Sequence, residues 1–276
     1  MGRTIVLVLG VCLLAPPVFA ESIRVIGEYA PDAHTVALYH LNGDVLDSSG
    51  NGRHLTLQNA TGNFSYTTGA SAAVQNALAT AGTVTGWPGG DRLYSSQLRY
   101  PGSGDWTVEA LVYLPVGYAG GMYFIQHYSE HVAGRDQYRL GYHSGTETAM
   151  WRTWGGGAFH GPLAGEFSFG EWHHLAGVYD ASEGKNLLYV DGALVGETPA
   201  PAMDAMGSWN TYILGSWFGS AGPAMIDEIR ISTIARTPED FSQIVRGEIP
   251  EPSSLVLALA GFGVGALVWR RKRRVA

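Results

Sequence analysis

Short runs of alternating apolar and polar residues fill most of the chain. The clearest run is Trp106–Leu114, in which every second residue starting from Trp106 is apolar. A period of two is typical of a β-strand that buries one of its faces. Similar runs predict further strands at residues 36–41, 122–128, 137–143, 149–154, 172–179, 187–190, 194–197, 212–216 and 224–232. The pattern therefore predicts an all-β chain.

Turn signals separate these runs. Asp191-Gly192 lies between two apolar runs, and this pair favours a type I′ hairpin turn because both of its central residues have positive φ. The 38 glycines agree with many tight turns. Thr237 as a cap, followed by Pro238, predicts one short helix that ends at Gly247. Many short strands with one helix predict a single two-sheet antiparallel sandwich.

The N-terminus has the features of a signal peptide. Arg3 precedes the apolar run Ile5–Leu14, and Ala20 closes a cleavage site that follows residue 20. A lipoprotein site at Cys12 is the competing interpretation, but Val11 stands where such a site needs a small residue. Cleavage after residue 20 would remove the only cysteine, so the mature protein would contain no disulfide.

The C-terminus combines three features in order. Pro250-Glu251-Pro252 comes first, the mostly apolar stretch Leu255–Trp269 follows, and a basic cluster comes last. The cluster consists of Arg270, Arg271, Lys272, Arg273 and Arg274. The apolar stretch is short but long enough for a thin bilayer, and flanking cations favour the cytoplasmic side. We therefore predict a single transmembrane helix at 253–269 and a cytoplasmic tail at 270–276.

This arrangement resembles the PEP-CTERM sorting signal of Gram-negative bacteria. The resemblance implies that an exosortase, a membrane protease, recognises Pro250-Glu251-Pro252, the helix and Arg270-Arg271, and then removes them. It also implies an exported protein that lies transiently in the inner membrane and then reaches the cell surface or the extracellular matrix. The family is associated with bacteria that produce exopolysaccharide and form biofilms. A plain tail anchor is the alternative interpretation.

The charge of the body differs from that of the whole chain. Residues 21–249 contain 11 lysines and arginines against 23 aspartates and glutamates, a net charge of −12, whereas the whole chain carries −7. A body this acidic repels nucleic acid, so we exclude nucleic-acid binding. The same acidity suits a soluble exported protein that binds divalent cations.

Several motifs, taken in order, resemble a laminin-G-like, concanavalin A-like jelly roll. Ala37–Leu41 and Asp47–Gly52 are similar to its opening, and Trp106–Leu114 is similar to an internal strand. Glu171–Asp180 and Ile226–Ile231 are similar to a paired strand and to the closing strand. The resemblance covers the jelly roll at 34–242. Together with the signals at the two ends, it divides the chain into a signal peptide at 1–20, a lead at 21–33, the jelly roll and a linker at 243–252.

The loop from Asp47 to Gly52 is the candidate metal site. Asp47 offers a carboxylate and Asn51 offers an amide or main-chain oxygen, and such oxygen ligands suit calcium. In the family that the chain resembles, this loop often meets an aspartate of the closing strand, here Asp227. The alternative is a plain turn, since Asp, Ser, Asn and Gly all favour turns. We expect a structural calcium ion held by Asp47, Asn51 and Asp227.

The fold implied by the resemblance also occurs in β-glucanases, so catalysis must be considered. Those enzymes place two glutamates near an aspartate on one strand, in a pattern close to Glu-x-Asp-x-x-Glu. This sequence contains no such string, and we expect no enzyme. The histidines define no metal spacing either; His173 and His174, for example, would point to opposite faces of one strand.

Loop-like aromatic residues are the candidate sugar contacts. Trp154, Trp87 and Tyr118 lie beside glycine-rich turns and are the first candidates, with Trp151 weaker. We expect a non-catalytic surface or matrix protein whose domain binds a polysaccharide or an envelope protein. A glycan-degrading enzyme and a purely structural matrix component are the alternatives.

Calcium should raise the melting temperature of the purified protein, because an ion that binds only the folded state stabilises it. Asp47→Ala should abolish this increase, whatever its effect on the melting temperature in a chelator. Thermal unfolding followed by circular dichroism, with calcium and with chelator, measures both. A wild-type melting temperature that does not respond to calcium would count against the site.

Overall fold

A computed structural model describes residues 23–59, 61–81, 91–128, 137–204, 210–215, 222–241 and 244–246. The predicted signal peptide, transmembrane helix, basic tail and Pro250-Glu251-Pro252 lie outside these ranges, as does Trp87. Within them, the structure contains no helix that is both long enough and apolar enough to cross a membrane.

The described residues are almost entirely strands and turns. The strands in chain order are β1 Ile23–Val25, β2 Thr35–Tyr39, β3 Thr56–Gln58, β4 Phe64–Thr68, β5 Asn76–Thr80, β6 Arg92–Ser95, β7 Trp106–Tyr113, β8 Met122–Tyr128, β9 Tyr138–His143, β10 Thr148–Gly155, β11 Ala158–His160, β12 Leu163–Glu166, β13 Trp172–Asp180, β14 Lys185–Val190, β15 Ala193–Pro199, β16 Asn210–Ile213, β17 Ala224–Ser232 and β18 Ile244–Arg246.

Two eight-stranded antiparallel sheets form the sandwich. Sheet I has the order β11-β10-β9-β8-β16-β6-β3, with β12 also paired to β10. Sheet II has the order β15-β14-β13-β7-β17-β5-β4, with β2 also paired to β17. Strands β1 and β18 pair with each other as a separate ribbon. The predicted two-sheet antiparallel jelly roll is confirmed.

The predicted hairpin at Asp191-Gly192 is also confirmed. Both residues have positive φ, 53° at Asp191 and 73° at Gly192. Val190 of β14 pairs directly with Ala193 of β15, so the turn has two central residues. This geometry is the one that a type I′ turn requires.

The predicted short helix after Thr237 is wrong in its extent. Only Pro238–Asp240 is helical, as one 3₁₀ turn, and Ile244–Arg246 is a strand. The local start signal is real, because the Asp240 carboxylate accepts a 2.9 Å hydrogen bond from the Thr237 N–H. Phe241 then turns inward and is buried against Tyr189, which ends the helix after a single turn.

Large aromatic side chains fill the space between the sheets. Trp106, Tyr138 and Trp151 are almost completely buried there. The Trp151 indole N–H lies 3.1 Å from both the Val178 carbonyl and the Asn186 amide oxygen. Trp151 is therefore a core residue with a satisfied polar group, and its ring is closed to a sugar.

The outer face of sheet II carries a buried ion cluster. Glu109 is 0% exposed, and its two carboxylate oxygens lie 2.7 Å from Arg230 Nε and 3.1 Å from His174 Nε2. Burial alone would raise the pKa of Glu109, but the His174 hydrogen bond and the charge of Arg230 hold it below its usual value. His174 is thus a buried framework residue.

The same cluster fixes two segments over sheet II. Arg230 donates to the Asp240 carbonyl at 2.9 Å, and its guanidinium lies 4.2 Å from the centre of the Tyr29 ring. Arg236 donates to the Asp32 carboxylate at 2.7 Å. The lead before β2 and the segment after β17 are therefore held against the outer face by buried charges.

Glu109→Ala should lower the free energy of unfolding by about 3–5 kcal/mol, because it leaves buried cations without their partner. Glu197→Ala is the matched control, since Glu197 pairs with Lys185 at an exposed position and should lose less than about 1 kcal/mol. Urea unfolding measures both losses. Equal losses in the two variants would contradict the role given to Glu109.

Candidate functional site

The outer face of sheet I carries arginine and aromatic side chains. In β10, Trp151 points into the core, whereas its neighbours in alternation, Arg152 and Trp154, point outward and are half-buried. The strand register places Arg152 opposite Arg139 of β9 and Trp154 opposite Phe159 of β11. Four outward side chains from three adjacent strands therefore lie together.

These side chains contact one another closely. The Trp154 and Phe159 rings meet edge to face with their centres 4.9 Å apart. The Arg139 guanidinium lies 4.0 Å from the centre of the Phe159 ring and donates a 3.2 Å hydrogen bond to the Tyr123 hydroxyl. Arg152 lies 5.7 Å from the same Phe159 ring. We call Tyr123, Arg139, Arg152, Trp154 and Phe159 the arginine–aromatic strip.

A second arginine–aromatic contact lies on the same face of the sheet. Arg92 and Tyr94 of β6 point outward, with the guanidinium 4.9 Å from the centre of the tyrosine ring. The strands of sheet I contain three arginines and a single carboxylate, that of Glu166. Among the described strands of this sheet, positive side chains therefore outnumber negative ones, although the body of the protein is acidic.

The strip includes one of the predicted sugar contacts. Trp154 belongs to it, whereas Tyr118 is only 8% exposed and packs edge to face against Tyr142 and Phe169. Its hydroxyl donates to the Gly121 carbonyl at 3.2 Å, so the ring of Tyr118 has no free face for a sugar.

Asp47 organises the loop that precedes β3. Its carboxylate oxygens accept hydrogen bonds from the main-chain N–H groups of Leu38, Ser49 and Arg53, at 2.9 to 3.0 Å. Burial raises the pKa of Asp47, but these hydrogen bonds outweigh it and lower the value overall. The Asn51 side-chain amide donates to two carbonyls of β2. Both side chains therefore fasten the loop to β2.

Asp227 lies in a different set of contacts. It is 0% exposed beside a β-bulge of β17, and its Oδ1 accepts from the Glu228 N–H at 2.8 Å. Burial, followed by the nearby charge of Glu228, raises the pKa of Asp227 to about 9. The partners of Asp47 and Asn51 fit the turn interpretation, and calcium at these residues and Asp227 stays a prediction.

A polar cleft lies beside the Asp47 loop. It has a volume of about 630 Å³ and is lined mainly by residues 51–53 and 96–101, including Arg53 and Arg99. Its one aromatic residue, Tyr100, is 3% exposed. The cleft therefore lacks an exposed aromatic side chain, whereas Tyr123, Trp154 and Phe159 of the strip are partly exposed.

Two family models match the chain. The model of the concanavalin A-like lectin/glucanases superfamily matches residues 88–242, more than half of the chain. The chain belongs to this superfamily. The model of the PEP-CTERM protein-sorting motif matches residues 248–274. This motif indicates an exported protein that is processed at the membrane, and it implies that an exosortase carries out the processing. No curated protein matches the chain.

Solved structures share the superfamily fold at low sequence identity. The binding domain of botulinum neurotoxin serotype D has a TM-score of 0.57 at 11% identity, with 75% of this chain and 50% of that chain covered. The binding domain of Paraclostridial Mosquitocidal Protein 1 has a TM-score of 0.55 at 11% identity with the same coverage. The chain thus spans about half the length of these toxin domains.

A shorter structure is matched over nearly its whole length. It is domain 4 of AbnA, a GH43 extracellular arabinanase from Geobacillus stearothermophilus, in complex with arabinotriose. The TM-score is 0.55 at 18% identity, with 75% of this chain and 96% of that domain covered. At such low sequence identity, these similarities establish the fold alone. The ligand has to be inferred from the residues of this chain.

Proposed function

We propose that the protein is a non-catalytic, exported carbohydrate-binding protein that recognises an anionic polysaccharide through the arginine–aromatic strip. The observation that carries the proposal is the contact of Arg139 with both Tyr123 and Phe159, beside Trp154. Aromatic rings present a flat apolar surface to the C–H face of a sugar ring. Guanidinium groups supply donors to its hydroxyl and carboxylate oxygens.

The strip is organised before a ligand arrives. Arg139 is held between the Phe159 ring and the Tyr123 hydroxyl, so its long side chain is already restricted. Binding therefore costs less side-chain entropy than it would for a free arginine. The half-buried rings of Trp154 and Phe159, which contact each other, also keep a fixed order along the sheet.

Charge favours an acidic polymer at this face. The body carries a net charge of −12, yet the strands of sheet I contain three arginines and only Glu166 as an acid. An acidic polysaccharide is repelled by most of the surface and attracted by this strip, which orients its approach. Arginine can also form two parallel hydrogen bonds to one carboxylate group, and a neutral glycan has no carboxylate to accept them.

The acid content of sheet I supports a binding role without hydrolysis. Glycosidases generally need two carboxylates beside the bound sugar, about 5–10 Å apart. Among the described strands of sheet I, Glu166 alone supplies one. The described strands of this sheet would therefore offer a bound sugar one carboxylate and not a pair.

The sorting motif supports delivery to the cell surface or the extracellular matrix. We propose that the exosortase of a Gram-negative bacterium acts after the tag enters the inner membrane, and that the domain then binds polysaccharide outside the cell. The match at 248–274 covers Pro250-Glu251-Pro252 and Arg270 to Arg274.

The purified protein should bind carboxylated polysaccharides, such as alginate or polygalacturonate, more tightly than neutral arabinan or cellulose. Phe159→Ala and Arg139→Gln should each weaken binding by about tenfold or more, near 1.4 kcal/mol. Tyr66→Ala is the matched control, because Tyr66 is an exposed aromatic residue on sheet II. Affinity electrophoresis and calorimetry measure the effects.

Three results would overturn this proposal. Binding to no glycan would favour a purely structural component. Equal losses in Tyr66→Ala and Phe159→Ala would remove the strip as the site. Release of new reducing ends from any of these polysaccharides would indicate a glycan-degrading enzyme.

Mass spectrometry of the protein recovered from the native bacterium should find a mature C-terminus at or near Pro250, because the exosortase removes the helix and the basic tail. Replacement of Pro250-Glu251-Pro252 by alanines should leave the tag in place. Stable protein that retains Arg270–Arg274 in the unaltered chain would instead indicate a plain anchor.

A further inference from the structure

Three side chains from distant parts of the sequence meet beside the closing strand. Glu28 comes from the lead before β2, His40 directly follows β2, and Glu228 lies in β17. One ligand atom from each lies within 4.8 Å of the other two. Glu228 is buried, whereas Glu28 and His40 are partly exposed, so an ion from solvent has access to the group.

Neighbouring donors orient both carboxylates. Glu28 Oε1 accepts from the Asn42 amide at 2.7 Å and from the Gln75 amide at 3.1 Å. Glu228 Oε2 accepts from a main-chain N–H at 2.7 Å, and its Oε1 lies 2.8 Å from His40 Nδ1. Hydrogen bonds of this kind hold metal-binding carboxylates in position.

Negative charge at this point exceeds the positive charge that faces it. Asp227 is 0% exposed, adjoins Glu228, and its Oδ2 has no hydrogen-bond partner within the described structure. Two carboxylates, those of Glu28 and Glu228, therefore share the single imidazole of His40, with the buried carboxyl of Asp227 beside them. A divalent cation would compensate this buried charge.

The donor set indicates the class of metal. Two carboxylates and one imidazole form a mixed oxygen and nitrogen set, which suits zinc better than calcium, an ion that takes oxygen ligands. We propose that Glu28, His40 and Glu228 form a binding site for a divalent transition-metal ion, with zinc as its expected occupant. Three protein ligands leave a fourth position open to water.

Such an ion would join parts of the chain that are far apart in sequence. His40 and Glu228 are 188 residues apart, and Glu28 lies further towards the N-terminus. An ion bound only when these segments meet stabilises the folded state. The site is separate from the arginine–aromatic strip, and it stands whether or not the protein binds a glycan.

The test uses tag-free purified protein, stripped with a chelator and titrated with zinc alone. We expect about one tightly bound equivalent and a higher melting temperature. Glu28→Gln and His40→Gln should each weaken zinc binding by about tenfold or more and remove most of the thermal shift. Glu166→Gln and His143→Gln, which change the same residue types elsewhere, should bind as the wild type does.

Cobalt absorption gives a second measurement that does not depend on stability. Cobalt in place of zinc should show visible bands that are lost in His40→Gln, while circular dichroism confirms that this variant is folded. Wild-type protein that binds no zinc would overturn the proposal. Zinc binding in Glu28→Gln and His40→Gln equal to that of the controls would do so too.

Discussion

The buried carboxylate of Glu109 holds Arg230 and His174 at once, and the covering of the central strands of sheet II depends on it. Because Glu109 compensates the buried charge of Arg230 and is hydrogen-bonded to His174, the outer face of these strands can be dry. The lead and the segment after β17 then cover it through Tyr29 and Asp240. The central strands β7, β13 and β17 are consequently buried on both faces along most of their length. The outer face of sheet I, by contrast, carries half-buried arginines and aromatic rings.

The alternation of apolar residues predicted the strands that have one face in the core. Met122–Tyr128 and Ala224–Ser232 were predicted with the bounds that the structure shows. Strand β4 was missed because only Phe64 of its five residues is buried, so it carries no apolar period. The helix after Thr237 was overestimated because a cap signal is local, whereas the burial of Phe241 depends on a distant strand.

The candidate sites show the same difference between features that a local sequence window reveals and features that only distant strands bring together. Trp154 was found from its neighbouring glycines, but Tyr123, Arg139 and Phe159 join it only through the register of four strands. Tyr118 has similar glycine neighbours and is nevertheless packed in the core. A short sequence window contains the loop chemistry of a turn. Such a window cannot show that Glu28, His40 and Glu228 lie close together, because their positions span most of the domain.

The arginine–aromatic strip and strand β18 lie on opposite outer faces of the sandwich. Strand β18, from which the chain continues towards the sorting motif, pairs with β1, and Val25 of β1 packs against Leu111 on the outer side of sheet II. The arginine–aromatic strip lies on the outer side of sheet I. Since the inner faces pack against each other, these sites are on opposite sides of the sandwich. A polysaccharide bound to the strip would therefore leave strand β18 uncovered.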